Sequence, residues 1–299
     1  MTEPLHVGFV GLGDMGAPMA RHLVGRGFPT TVTDVRADAV AALVTAGAKP
    51  AETPAEVAEV ADVIAVCVVD DAQATAVVVG ERGLVDRLRA GQTVVLHSSV
   101  RPETAVALAE AVRSTGADLL DAPVSGSRPA VEAATLTIMV GGEPATLERA
   151  RPALCAYAER IFHLGPVGTG QSMKLVNNVM LHLNHLVALE ALRLAAAEGI
   201  AEADAVEVVN ASSGRSWVTE TWGLIDDMLR DHPQAGTDAI FPLMSKELWN
   251  AVVVGRGRGT ALPFTALGTQ LSRAYLSERR LTDRRLTDRS LTNRWETPT

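Results

Sequence analysis

The feature that most constrains this chain is a run of three glycines close to its start. In HVGFVGLGDMGAPMARHL, Gly11, Gly13 and Gly16 form GxGxxG directly after an apolar run and at the head of a helical pattern. Glycines at these spacings permit a tight turn, close approach of backbone to a pyrophosphate, and close packing of helix on strand. The helix N-terminus then offers N–H groups and the positive end of its dipole to phosphate. The loop Gly11, Leu12, Gly13, Asp14, Met15 and Gly16 is therefore the candidate cradle of a dinucleotide cofactor. Asp34 ends the next apolar run, 21 residues after Gly13. A carboxylate there accepts both ribose hydroxyls and repels a 2′-phosphate, which favours NAD. NADP is the second candidate, because Arg36 stands close enough to turn toward such a phosphate.

The first half alternates short Val- and Ile-rich runs with helical patterns. Strands are expected at 5–10, 30–34, 62–68, 93–97, 118–121 and 136–141, with a short one near 160–163. Helices are expected at 14–26, 37–46, 54–60 and 102–114, and Thr53-Pro54 reads as a helix start with Thr at the N-cap. Such alternation implies α/β architecture, a Rossmann-type doubly wound parallel sheet covered on both faces. Near Gly165 the pattern changes. A long helical stretch runs from Gly170 to about Gly199, followed by helices near 203–211, 217–230, 242–255 and 263–278. The expected organisation is a nucleotide-binding domain over 1–164 and an all-helical domain over 165–278, joined by the long helix. The last stretch, 279–299, contains RLTDR-RLTDR-SLTNR and carries +3 against −11 for the remainder. A five-residue period matches neither a helix face nor a strand face, and disorder is expected there.

Composition excludes some functions and singles out one residue type. The chain has 27 basic and 35 acidic residues, a net charge of −8 that argues against nucleic acid or an anionic membrane as main partner. No uninterrupted apolar run reads as long enough to span a bilayer, and the stretch 5–12, ending in glycines, does not read as a signal peptide. Cys67 and Cys155 follow no metal spacing, which suggests a reducing, cytoplasmic compartment. Nor do His182 and His185, three apart on the long helix, meet a third ligand at metal spacing, so no metal is expected. Only three of the basic residues are lysines: Lys49, Lys174 and Lys246. Arginine does not release a proton at working pH, whereas lysine can when its surroundings lower its pKa.

Four motifs in order resemble the β-hydroxyacid dehydrogenase family, over roughly residues 5–278. They are the glycine loop, DAPVSGSRPAVEAATLTIMVGG from Asp121, GPVGTGQSMKLVNN from Gly165, and ASSGRSW at 211–217 with FPLMSKEL at 241–248. The resemblance implies NAD-dependent hydride transfer to or from a small 3-hydroxy acid, and a homodimer or homotetramer. It implies that Lys174 is the general acid/base, with Asn178 four residues on and on the same helix face, holding substrate or lysine. An alcohol oxidation needs such a base for the hydroxyl proton, and the same group acts as acid in reduction; an amine at a partly dry domain interface suits both. By the same resemblance Ser125, Gly126 and Ser127 present N–H groups and hydroxyls to the substrate carboxylate. Val68 and Val69 lie in a turn against the cofactor, Ser99 near its nicotinamide half, and Lys246 reaches cofactor or substrate; Trp217 and Ser213 wall the substrate pocket.

Some positions depart from the family pattern. Ser127 and Pro129 stand where glycines are usual, so either the loop takes another shape or the pocket admits another substrate. Arg128 between them reads equally as a surface charge, and Trp217 equally as core. Val69 replaces a familiar proline, and Glu247 a usual Asp. His97 ends a strand near the cofactor site and reads as structural. Three rival readings are a decarboxylating 6-phosphogluconate-type enzyme, an imine reductase, and a cofactor-binding sensor without turnover. Decarboxylating relatives carry Glu seven residues after the lysine, where this chain has Leu181. Imine reductases typically lack the lysine.

Overall fold

The computed structural model describes residues 4–224 and 236–275, with side chains from Met244 onward in the second stretch. The expected tail at 279–299 lies outside the described residues. The chain divides into two compact units, Met1–Lys174 and Leu175–Thr299.

The first unit is built on a six-stranded parallel sheet. Its strands are β1 (Val7–Val10), β2 (Thr30–Thr33), β3 (Lys49–Pro50), β4 (Val63–Val66), β5 (Thr93–Leu96) and β6 (Asp118–Asp121). Their order is β3-β2-β1-β4-β5-β6, so the chain reverses direction across the sheet between β1 and β4. That reversal opens a crevice at the carboxyl ends of the strands, where sheets of this kind bind dinucleotides. Every residue of β1, β2, β4 and β5 is buried, as expected of a sheet covered on both faces. The pleat divides them: Val63 and Ala65 join one core with Phe9, Leu12, Met19 and Leu23, while Ile64 and Val66 join the other with Val57, Leu96 and Leu108.

Helices α1 (Gly16–Gly25), α2 (Ala37–Thr45), α3 (Pro54–Val60), α4 (Asp71–Val79) and α5 (Pro102–Arg113) cover this sheet. Thr53 caps α3 as its sequence implies, its side chain accepting the N–H of Glu56 with Pro54 in the first turn. The sequence reading missed α4. Its apolar residues follow no helical stripe, and it is started by Asp70, which accepts the N–H of Gln73 at 2.8 Å.

The expected strands at 136–141 and 160–163 exist but do not extend the main sheet. β7 (Val124–Ser125) turns back at its edge and pairs antiparallel with β8 (Leu136–Val140), which pairs parallel with β9 (Ala158–His163). One antiparallel bridge, Asp121 with Gly141, joins the two sheets. Short helices α6 (Ser127–Glu132) and α7 (Pro144–Leu154) separate these strands.

Helix α8, Thr169–Ala197, begins in the first unit and runs into the second. Its best eighteen-residue window has a mean hydropathy of 1.2, so by length and composition it is long and apolar enough to cross a bilayer, against the sequence expectation. It also buries Asn178, His182 and His185, a polar row that hydrocarbon would not solvate. The second unit is helical in its described residues. α9 (Glu202–Asn210) and α10 (Trp217–Glu220) are followed by helices over Gly236–Gly257 and 263–275. Leu189, Met244 and Leu248 form its small core, with Val179, Trp222 and Tyr275 packed against it.

Candidate active site

The glycine loop has the form its spacing implies. Gly11 takes φ +93°, and a Cβ there would collide with the carbonyl of Cys67 at the end of β4. A Cβ at Gly16 would strike the carbonyl of Gly11, so that glycine lets α1 pack close to β1. Gly13 differs, because a Cβ on it would meet nothing within 4 Å. Its backbone faces open space beside the N-terminus of α1, the cradle that a pyrophosphate requires, so the loop fits a dinucleotide.

Asp34, at the carboxyl end of β2, is locked to this loop. One carboxylate oxygen accepts the N–H of Leu12 at 2.6 Å; the other accepts the N–H of Arg36 at 2.8 Å and its Nε at 3.3 Å. Burial pushes the Asp34 carboxyl up, but these N–H donors and the guanidinium outweigh it and hold it below the usual range. Arg36 also donates from Nη2 to the carbonyl of Leu12 at 2.7 Å. Residue spacing alone does not reveal this clasp, which engages Arg36 with the loop and with the acid itself.

The turn after β4 and the loop after β5 are joined. Val68 donates its N–H to Ser98 Oγ at 2.8 Å, and Val69 its N–H to Gln73 at 3.2 Å. Ser98 is buried, whereas Ser99 is exposed at the crevice edge. His97, wholly buried, bonds the carbonyl of Ala122 at 2.7 Å through Nδ1 and the hydroxyl of Tyr157 at 2.8 Å through Nε2. A carbonyl only accepts, so Nδ1 carries the proton and Nε2 accepts from Tyr157. Burial lowers the His97 pKa to about 4, against a smaller upward pull from the Ala122 carbonyl. His97 thus fastens the end of β5 to the segment that follows β6, a role its sequence position did not reveal.

This arrangement makes stability pH-dependent. The folded pKa lies below the unfolded value, so the contribution of neutral His97 is full above pH 6.5 and is lost as pH falls toward 4. The loss is on the order of 3 kcal/mol. In urea melts, the parent's advantage over His97→Gln should shrink across that window; a constant difference would show that His97 does not titrate there.

The substrate segment runs from Asp121 through Ser127. Gly126 has φ +138° and Ser127 φ +54°. Serine tolerates this left-handed conformation at roughly 1 kcal/mol. The loop therefore keeps a backbone suited to glycine, although the residue is serine. Ser127 Oγ donates back to the Gly126 carbonyl at 2.7 Å. Arg128 is exposed, and its Nε bonds Glu132 one turn on at 2.8 Å.

The base of α8 is held by a buried carboxylate. Asp121 is 0 % exposed; Oδ1 accepts the N–H of Gly168 at 2.8 Å and Oδ2 that of Gln171 at 2.7 Å. Burial pushes its carboxyl above the usual range, and the surrounding N–H groups pull it part of the way back. A Cβ at Gly141 or Gly170 would run into its carboxylate oxygens, so those glycines make room for it. Gln171, also buried, reaches the β5 loop: Oε1 accepts the N–H of Val100 at 3.1 Å and Nε2 donates to the carbonyl of Ser98 at 2.8 Å. Lys174, half-buried, follows Gln171 by three residues. Sequence reasoning gave neither Asp121 nor Gln171 a role, though both stand in quoted motifs and Gln171 lies one turn before Lys174.

In the second unit Asn178 is buried and accepts from Asn177 at 3.3 Å. His182 bonds Glu247 at 2.6 Å, which occupies the acid that follows Lys246. Trp217 is 48 % exposed, so it is not core, and Ser213 is exposed. Among the described residues no cluster of His, Cys, Asp and Glu could hold a metal ion.

Comparison with known proteins agrees with this geometry. Residues 6–165 match the NAD binding domain of 6-phosphogluconate dehydrogenase, and residues 168–285 match the NAD-binding domain of NADP-dependent 3-hydroxyisobutyrate dehydrogenase. The 2-(hydroxymethyl)glutarate dehydrogenase of Eubacterium barkeri is 35% identical over 271 residues, covering 91% of this chain and 89% of that protein. The NAD-dependent L-serine dehydrogenase of Pseudomonas aeruginosa is 33% identical, covering 91% of this chain and 92% of that protein. A Mycobacterium tuberculosis 3-hydroxyisobutyrate dehydrogenase, solved with L-serine, superposes with a TM-score of 0.76 at 27% identity, covering 92% of this chain and 94% of the other. With its dinucleotide cradle intact and both halves matched, this chain belongs to the β-hydroxyacid dehydrogenase family and is an NAD(P)-dependent hydroxyacid dehydrogenase.

Proposed function

We propose that the chain interconverts a small 3-hydroxy acid of the 3-hydroxyisobutyrate kind and its semialdehyde, with NAD preferred and Lys174 as the proton-transfer group. The observation that carries this reading is the footing of Lys174. Lys49 is exposed on the edge strand β3, and Lys246 lies in the second unit. Lys174 alone of the three stands one turn beyond a residue tied to the carboxyl ends of β5 and β6, the side of such a sheet where ligands bind.

The relatives' substrates support the class. L-serine, 3-hydroxyisobutyrate and 2-(hydroxymethyl)glutarate each carry a hydroxymethyl group on the carbon beside a carboxylate. A site for that pattern needs an anion holder and, a few ångströms away, a base. Ser125, Gly126 and Ser127 offer backbone N–H groups, and Ser125 a hydroxyl, for the carboxylate. When bound, the nicotinamide takes a hydride from the carbinol carbon in oxidation and returns it in reduction. As a neutral amine, Lys174 Nζ accepts the hydroxyl proton during oxidation, and as an ammonium it gives that proton back during reduction. Asn178, one turn further along α8, has its amide oxygen engaged by Asn177, which leaves its N–H donors for the substrate oxygen. Leu181 supplies no carboxyl for a decarboxylating route.

The test is a panel of C3–C6 hydroxy acids offered with NAD and, separately, with NADP. Reduced nicotinamide should appear with hydroxymethyl acids and not with 2-hydroxy acids; the reverse pattern would overturn the substrate class. NAD should be preferred by roughly fivefold to several hundredfold or more, the range that one like-charge repulsion of about 1 to 4 kcal/mol supports. Asp34→Ser removes that repulsion and frees Arg36 from its acid, so it should bring NADP level with NAD. An unchanged ratio would remove Asp34 from cofactor choice.

A further inference from the structure

We propose that Gln171 is a positioning residue for the reaction: its side-chain amide ties the loop carrying Ser99 to the helical turn carrying Lys174. The inference rests on the reading of Lys174 given above. Gln171 is 1 % exposed, and its amide makes one bond on each side of a single residue. Oε1 takes the N–H of Val100 and Nε2 gives to the carbonyl of Ser98, so Ser99 is gripped from both flanks. Ser98 Oγ in turn accepts the N–H of Val68, which extends the same bridge to the turn after β4. The backbone N–H of Gln171 is held at 2.7 Å by Asp121, so the amide cannot follow a shift of the loop without the helix. Lys174 lies three residues on, with helix and no flexible link between.

The loops after β4 and β5 edge the crevice on the side of the sheet away from Asp34, which is where the reactive half of a dinucleotide extends. A buried amide satisfied on both its polar ends specifies one register between the elements it joins. Here that register sets the proton-transfer group against the loop that meets the cofactor. A misplacement of about 1 Å between reacting groups costs on the order of 10²-fold in rate.

The fold supplies its own control. Gln92 is 2 % exposed and staples backbone in the same style, donating to the carbonyl of Ala58 at 2.7 Å and accepting from Arg89 at 2.6 Å. It stands at the opposite end of β5, away from the crevice.

The experiment compares Gln171→Met and Gln92→Met, which keep length and lose the amide. Turnover, KM, NADH affinity by fluorescence, melting temperature, and hydrogen exchange of residues 97–101 in the cofactor-free protein are read for each. Gln171→Met should lower kcat about 10- to 100-fold, leave KM and NADH affinity within threefold, and speed exchange at 97–101. Gln92→Met should melt lower with kcat within twofold. Should Gln171→Met not fold, Gln171→Glu carries the same comparison, since it keeps the acceptor for Val100 and sets an oxygen against the carbonyl of Ser98. A kcat within twofold of the parent would overturn the proposal, as would a loss of kcat matched by an equal loss of NADH affinity. Parental turnover by Lys174→Ala would instead sink the reading of Lys174. A silent Gln171→Met in an enzyme that Lys174→Ala inactivates sinks this inference alone.

Discussion

Lys174→Ala should turn over its hydroxy acid about 10²- to 10⁴-fold more slowly than the parent, the usual contribution of a general acid or base, while binding NADH within a few-fold of parental affinity. The two halves of this result separate chemistry from cofactor binding. The cradle at Gly11–Gly16, the clasp at Asp34 and the Val68–Ser98 bond belong to other segments, and the substitution leaves them intact. Lys174→Arg is the sharper variant. Arginine restores the positive charge and much of the length, but a guanidinium does not give up its proton. If Lys174 only attracted an anionic substrate, arginine would restore turnover; if it moves a proton, arginine should be as inactive as alanine while recovering KM. The pH profiles follow with opposite signs. Oxidation needs the neutral amine, so parental kcat/KM for oxidation should climb with pH, and kcat/KM for reduction, which needs the ammonium, should fall. The residual activity of Lys174→Ala should show neither slope. A chain that uses 24 arginines and three lysines makes this test clean, because Lys49→Arg, at an exposed position on the edge strand β3, is an internal control for loss of the residue type.

Much of the fold was legible because it depends on local pattern. Short runs rich in Val, Ile and Thr, bounded by Gly, Pro or Asp, marked β1, β2, β4 and β5, and the glycine spacing marked the crevice itself. Thr53-Pro54 marked a helix start from two residues alone. What escaped was set by partners distant in sequence. The strand at 136–141 carries the apolar composition of the main strands, yet it pairs with the two-residue return at Val124–Ser125 and with β9 in a second sheet. Ser127 suggested either another loop shape or another substrate, and its φ of +54° is a left-handed conformation that the sequence alone does not reveal. The named site residues were those with a motif around them. Asp121 and Gln171 stand inside quoted motifs and His97 outside them, but none of the three shows its role in sequence; each acts through a buried bond spanning 25 to 73 residues of sequence. A buried acid, amide or imidazole announces itself only when its partners are visible.

Asp121→Asn is expected to be the most destabilising single-atom change in the first unit. The carboxylate accepts one N–H on each oxygen, both at the N-terminal end of α8. An asparagine keeps one acceptor and turns an NH₂ toward the other N–H, so a buried donor faces a donor. Leaving one buried N–H unsatisfied costs about 1–3 kcal/mol, and the lost ionic hydrogen bond adds to it. A total of about 3 kcal/mol corresponds to a melting temperature lower by roughly 6–12 °C for a unit of this size. Replacement by alanine should cost more, because both N–H groups lose their acceptor. The space admits no easy repair: Gly141 and Gly170 already lack a Cβ to let the carboxylate in, so a water has little room to substitute for it. Gly141→Ala should therefore reproduce the effect from the other side, because its Cβ would meet Asp121 Oδ1 first and push the carboxylate away while leaving its charge. The functional consequence goes with the mechanical one. The first turn of α8 is what Asp121 holds, and Lys174 lies on the next turn, so kcat should fall in the folded fraction of Asp121→Asn even at temperatures well below its melting point. Asp121→Asn melting within 1 °C of the parent, with parental kcat, would show that the helix carrying Lys174 is anchored elsewhere.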